Sequence, residues 1–137
     1  MLGKEPIEGL NHALNREVST FLRYLLQSAA IKGAQWEQVR AMYAEEVEDE
    51  VGQARVLADY IVALGGTPKP APDLTPPPTD VRQLLERDIE QEQIDVRHYI
   101  KLAELAAGEG IIVLKMKLEE QAADEQDHAM KMRRLLG

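Results

Sequence analysis

The stretch GGTPKPAPDLTPPPT, from Gly65 to Thr79, decides how this chain is organised. Six of its seven prolines fall here, between Pro68 and Pro78. A proline ring fixes φ and removes a backbone donor, so no helix passes through such a segment. On either side lie roughly sixty residues with almost no breakers, which read as helix. The N-terminal half divides at Gly33 and the C-terminal half at Gly108-Glu109-Gly110. Four helices are therefore predicted over about 6–32, 35–64, 80–107 and 110–136, in one domain spanning 1–137 with a crossover at 65–79. Pro6 suits the first turn of the first helix, and Gly65-Gly66 offers a stop to the second. Asp80 with Gln83 has the spacing of a capping box. Both divisions are short, so each half is an antiparallel helical hairpin. Fifteen residues in polyproline II geometry at roughly 3.1 Å each reach about 46 Å. A thirty-residue helix at about 1.5 Å per residue is equally long. The crossover can thus return the chain along the whole bundle and leave the third helix parallel to the second. The expected fold is all-α: an up-down four-helix bundle of two hairpins joined by a long Pro-rich crossover.

Composition agrees with helices. The 137 residues are 45% hydrophobic and 29% charged but only 4% aromatic, a mixture that favours helix over β-sandwich. A formal charge of −8 argues against a nucleic-acid backbone or an anionic membrane as partner and favours a cation. The absence of cysteine excludes disulfides, thiolate-bound zinc, iron–sulfur clusters and thiol catalysis. No signal-type N-terminus and no long apolar run occurs, so a cytoplasmic location is expected.

Each helix carries an apolar stripe at 3.6-residue spacing, and acid interrupts every one. The first has Leu10, Leu14, Glu17, Phe21, Tyr24 and Ser28; the second has Val39, Tyr43, Glu46, Glu50, Gln53 and Leu57. The third has Leu85, Asp88, Glu92, Val96 and Tyr99; the fourth has Leu114, Leu118, Glu125, His128 and Met132. An ionised carboxylate in a helix core costs several kcal/mol unless a cation meets it. No matching set of inward Lys or Arg stands at these levels. Inward acids without inward bases imply a bound metal; the competing reading is a bundle whose acids simply face water.

Spacing sharpens the metal reading. Glu17 to Glu50 is 33 residues, and Glu92 to Glu125 is also 33. Glu50-Val-Gly-Gln53 and Glu125-Gln-Asp-His128 each place two donors on one helical face. Tyr24 and Tyr99 each follow their helix's glutamate by seven residues. Equal offsets in both hairpins indicate an internal repeat about a pseudo-twofold axis, with Glu17 and Glu92 opposite the two i, i+3 pairs.

Here the chain resembles the ferritin-like di-iron carboxylate proteins, and among them the bacterioferritins, whose donors are one Glu from each of two helices and Glu-x-x-His from each of the others. The resemblance covers almost the whole chain and includes LNREVSTFLRYLLQ, ALGGTP and DEQDHA. It implies Glu17, Glu50, Glu92, Glu125 and His128 as ligands to two iron ions, with Glu50 and Glu125 bridging and Glu17 and Glu92 terminal. It implies that Tyr24 sits beside the centre with a catalytic part. The implied activity is ferroxidase: oxidation of Fe(II) by O₂ or peroxide, with or without storage. Manganese or a mixed Fe/Mn pair fits the same donors.

Three positions depart from the family pattern. Gln53 stands in place of a ligand histidine and offers a neutral oxygen, a weaker donor to Fe(II) than imidazole. Val51 stands where bacterioferritins carry the methionine that binds haem, so no haem is expected. The sequence stops at Gly137, where cage-forming ferritins continue into a short fifth helix, so a 24-subunit storage shell is not implied. Two other functions remain open: a metal-binding protein of this fold without turnover, and a peroxide reductase of the rubrerythrin type.

Several residues receive plainer readings. Most of the run Glu45 to Glu50 is a solvated face, with only Glu46 sharing the stripe of Glu50 as an extra ligand or a carboxylate on the metal's path inward. His98 lies about 240° round its helix from Glu92 and points away. His12 is read as a surface or satisfied histidine, Trp36 as an anchor for the hairpin turn, and Met116, Met130 and Met132 as core fillers. Phe21, Leu22, Tyr24, Leu25 and Leu26 make the first helix apolar nearly all round, which predicts that a second copy covers its outer face in a homo-oligomer, at least a dimer.

Overall fold

The computed structural model describes residues 3–137. Four α-helices, α1 (Lys4–Ala30), α2 (Glu37–Ala63), α3 (Val81–Gly108) and α4 (Ile112–Leu136), form a bundle with no strand among the described residues. α1 packs chiefly on α2 and α3 on α4, as two hairpins. α1 begins two residues before Pro6. The proline still falls within the first turn, where a missing N–H leaves no intrahelical bond unmade. α2 starts later than expected because a 3₁₀ turn, Ala34–Trp36, intervenes. Trp36 is half-buried there, against the core at that end of the bundle.

Two glycines in left-handed conformation stop helices. Gly65 (φ 91°) closes α2, its N–H reaching Val62 while Gly66 N–H reaches the Ile61 carbonyl at 2.8 Å. Gly110 (φ 76°) repeats the arrangement at the end of α3, with Ile111 N–H bonded to Ala106. Both are Schellman stops, which satisfy the last carbonyls and turn the chain. At the start of α3 the Asp80 side chain accepts from Gln83 N–H at 3.0 Å.

The crossover is bolted to α1. Asn11 donates to the Thr67 carbonyl and accepts from Lys69 N–H. Asn15 donates to the Lys69 carbonyl and accepts from Ala71 N–H, and Ser19 Oγ accepts from Asp73 N–H. Four residues of helix rise about 6 Å, and two residues of extended chain advance about the same. One helix face therefore matches every second residue of the strap in register. Running alongside α1, the strap delivers α3 parallel to α2.

The core comes in two parts with a polar waist between them. Leu10, Leu14, Leu57, Ile61, Leu102, Leu114 and Leu118 fill one end. Tyr24, Ile31, Val39, Tyr43, Leu85 and Met132 fill the other. Two of the methionines read as core fillers are not in it: Met116 and Met130 are 62% and 61% exposed. Each lies two residues from a buried position of α4 (Leu114 and His128), about 200° round the helix, on the solvent side. Met132 alone is in phase and buried.

Candidate metal centre

Between the two apolar ends, Glu17 from α1, Glu50 from α2, Glu92 from α3 and Glu125 with His128 from α4 converge, none more than 3% exposed. Donor atoms of Glu50, Glu92, Glu125 and His128 all lie within 4.8 Å of one another, as do those of Glu17, Asp95 and Glu125. His128 Nδ1 stands 3.2 Å from Glu50 and 3.8 Å from Glu92, and its Nε2 3.5 Å from Asp49. Both oxygens of Glu50 and Glu125 and one each of Glu17 and Glu92 are buried without a hydrogen-bond partner. Such groups are costly unless something satisfies them, and carboxylate oxygens with an imidazole are donors suited to divalent cations.

The hairpins repeat with an offset of 75 residues, which carries Glu17 to Glu92, Tyr24 to Tyr99, Glu50 to Glu125 and Gln53 to His128. The hydrogen bonds obey the same symmetry. Tyr24 donates to Glu92 Oε1 at 2.6 Å and Tyr99 donates to Glu17 Oε1 at 2.5 Å. Burial and the neighbouring carboxylates hold both phenols protonated, well above their ordinary range. The symmetry fails at Gln53 and at Glu46, among other positions. Gln53, 6% exposed with both side-chain polar atoms unpartnered, stands beside Asp124 and His128. Glu46, 3% exposed with both oxygens unpartnered, corresponds to Gln121, whose amide donates to the Gln53 carbonyl.

Without a bound cation the waist holds protons. Burial raises Glu17 to about 7 and Glu46 to about 8, and lifts Glu50 and Glu92 as well. Burial alone would depress the His128 imidazole, but the carboxylates of Glu92, Glu46 and Asp49 outweigh it and lift it to about 9.

Sequence reasoning missed part of this shell. Asp88, wholly buried, accepts from Gln27 and from the Tyr43 hydroxyl at 2.7 Å, with Arg87 alongside. Asp95 is 4% exposed and paired with Arg16, which also donates to Gln91. Asp88 lies on the α3 stripe, and Asp95 stands three residues after Glu92; the i, i+3 rule applied to α3 would have found it. His98 lies away from the centre, its ring edge-on to His12 at 5.1 Å. An open hollow of about 400 Å³ between α2 and α4, lined by Asp49, Gln53, Glu120, Asp124 and His128, borders the centre on its outer side. No helix among the described residues is long and apolar enough to cross a membrane.

Comparison with known proteins agrees with this architecture. A family model described as ferritin-like domain matches residues 7–137. The bacterial ferritin of Pseudomonas aeruginosa is 30% identical over 134 residues, covering 97% of this chain and 87% of that protein. A ferritin-like, diiron-carboxylate protein from Bacillus anthracis superimposes with a TM-score of 0.92 at 36% identity, covering 97% of this chain and 96% of the other. A dodecameric thioferritin, the bacterioferritin-related protein of Bacteroides fragilis, shares the fold with a TM-score of 0.87 at 24% identity, over 96% of this chain and 84% of its own. With four helices, a long crossover and a waist of convergent carboxylates, the chain belongs to the ferritin-like family.

Proposed function

We propose that the waist is a dinuclear metal centre at which Fe(II) is oxidised by O₂ or peroxide. The observation that carries this reading is the set of unpartnered oxygens on Glu50 and Glu125, both 0% exposed, within the convergent donor cluster. Glu50 and Glu125 would serve both metal positions, Glu17 and Glu92 one each, and His128 would complete the Glu92 side. Iron enters here as substrate, each Fe(II) surrendering one electron to the oxidant. Anionic oxygen donors favour the harder Fe(III), so the ligand set would stabilise the oxidised product once the oxidant has taken the electrons. Tyr24 holds Glu92 in place and keeps a proton beside the centre. The likeness to the Pseudomonas ferritin and the Bacillus diiron-carboxylate protein supports iron over other metals. Manganese or a mixed pair would use the same donors.

A second reading rests on Gln53. With no imidazole opposite His128, the centre can bind metal without turning over. Anaerobic Fe(II) titration followed by an O₂ pulse separates the two. Two irons per chain and an oxo-bridged ferric absorption band establish the oxidase; binding without oxidation establishes the second reading, and no binding removes both. We further propose that a second copy of the chain covers the outer face of α1, where Leu25 and Leu26 are 50% and 59% exposed.

A further inference from the structure

The half of the centre that lacks an imidazole has a carboxylate that its mate lacks. Asp95 stands one turn beyond Glu92 on α3, on the Glu17 side, and its counterpart under the pseudo-twofold is Thr20 on α1, an uncharged residue. Its carboxylate, that of Glu17 and that of Glu125 lie mutually within 4.8 Å, while Glu125 and one oxygen of Glu17 have no partner. We propose, on the strength of the dinuclear reading above, that Asp95 replaces the missing histidine as a ligand of the Glu17-side metal position.

The surroundings of Asp95 leave it free to do so. Arg16 pairs with one oxygen of Asp95 through its Nε and is itself held by the Gln91 side chain and carbonyl, at 3.0 and 3.3 Å. A carboxylate has about four acceptor positions, so Asp95 keeps Arg16 and still offers oxygen to a cation.

The consequence is two unlike positions: an imidazole-bearing one at His128 and an all-oxygen one at Glu17, the latter suited to harder ions such as Mn(II). Calorimetric titration of the metal-free chain with Co(II) under argon tests the assignment. We expect two ions per native chain and, in Asp95→Asn, a second step weakened at least tenfold with the first unchanged. Adding Gln53→His to that variant restores the second step. An unaltered second step, or equal loss at both, overturns the proposal. Fewer than two ions on the native chain overturns the dinuclear reading on which it rests. Asp95→Cys supplies an independent readout in a chain with no other cysteine. A thiolate-to-cobalt charge-transfer band must appear on loading, and a folded variant holding two Co(II) without that band refutes Asp95 as a ligand.

Discussion

The Tyr24 hydroxyl on α1 donates to Glu92 on α3 at 2.6 Å, and the same bond runs the other way across the bundle, from Tyr99 on α3 to Glu17 on α1. Each phenol belongs to an apolar end of the core and reaches into the polar waist, so it satisfies one oxygen of a carboxylate and leaves the other free. The two tyrosines thereby fix the terminal glutamates before any metal arrives.

Replacing either tyrosine with phenylalanine tests that role. A hydrogen bond to a charged group contributes about 1.5–3 kcal/mol, and stranding a buried acceptor costs about as much. Tyr24→Phe and Tyr99→Phe should each lower the unfolding free energy of the metal-free chain by about 1–3 kcal/mol in urea. Tyr24→Phe should also slow iron oxidation severalfold. An unchanged rate would leave Tyr24 with a purely structural role.

Gln53→His restores an imidazole at the pseudo-twofold counterpart of His128. Metal affinity at the Glu17-side position should rise by about tenfold, equivalent to about 1.4 kcal/mol. Titration with Fe(II) or Co(II) reads this directly. An unchanged second constant would mean that residue 53 does not reach the metal.

Stability of the metal-free chain should fall as pH rises. Glu17 and Glu46 titrate near 7 and 8 in the folded chain, against an ordinary value of 4.5. The folded state thus binds protons that the unfolded state releases, and their contribution is lost between about pH 4.5 and 8. His128, raised from 6.5 to about 9, adds stability below 6.5 that disappears through 9. Both effects have the same sign, so denaturation midpoints should drop from pH 5 to pH 9. Metal reverses the trend, because cations displace those protons and bind more tightly at higher pH. A flat profile without metal would contradict the buried, protonated waist.

The strap predicts a different kind of loss. Asn15→Ala removes the bonds to the Lys69 carbonyl and the Ala71 N–H. At about 1 kcal/mol each, unfolding should become easier by about 1–2 kcal/mol. Amide exchange at Ala71 should accelerate before that of the helices, since the crossover would detach locally. Exchange at unchanged rates would show that the prolines alone hold the strap.

Which faces of the helices turn inward was legible in the sequence, because periodicity is a property of one chain segment. The breakers Gly33, Gly65 and Gly110 with the proline run delimit four helices, and the matched spacings of Glu17, Glu50, Glu92 and Glu125 reveal both the convergent carboxylates and the repeat. Side-chain type without phase misled at Met116 and Met130, which face solvent. What periodicity cannot supply is the axial alignment of one helix against the next, which packing and the strap decide. Only that alignment brings Tyr99 to Glu17, Asn15 to Ala71, and Asp95 beside Glu125 rather than out into water. The sequence named Glu17, Glu50, Glu92 and Glu125 but not Asp95; which acids come together depends on distances between helices, and those exist only once the bundle has closed.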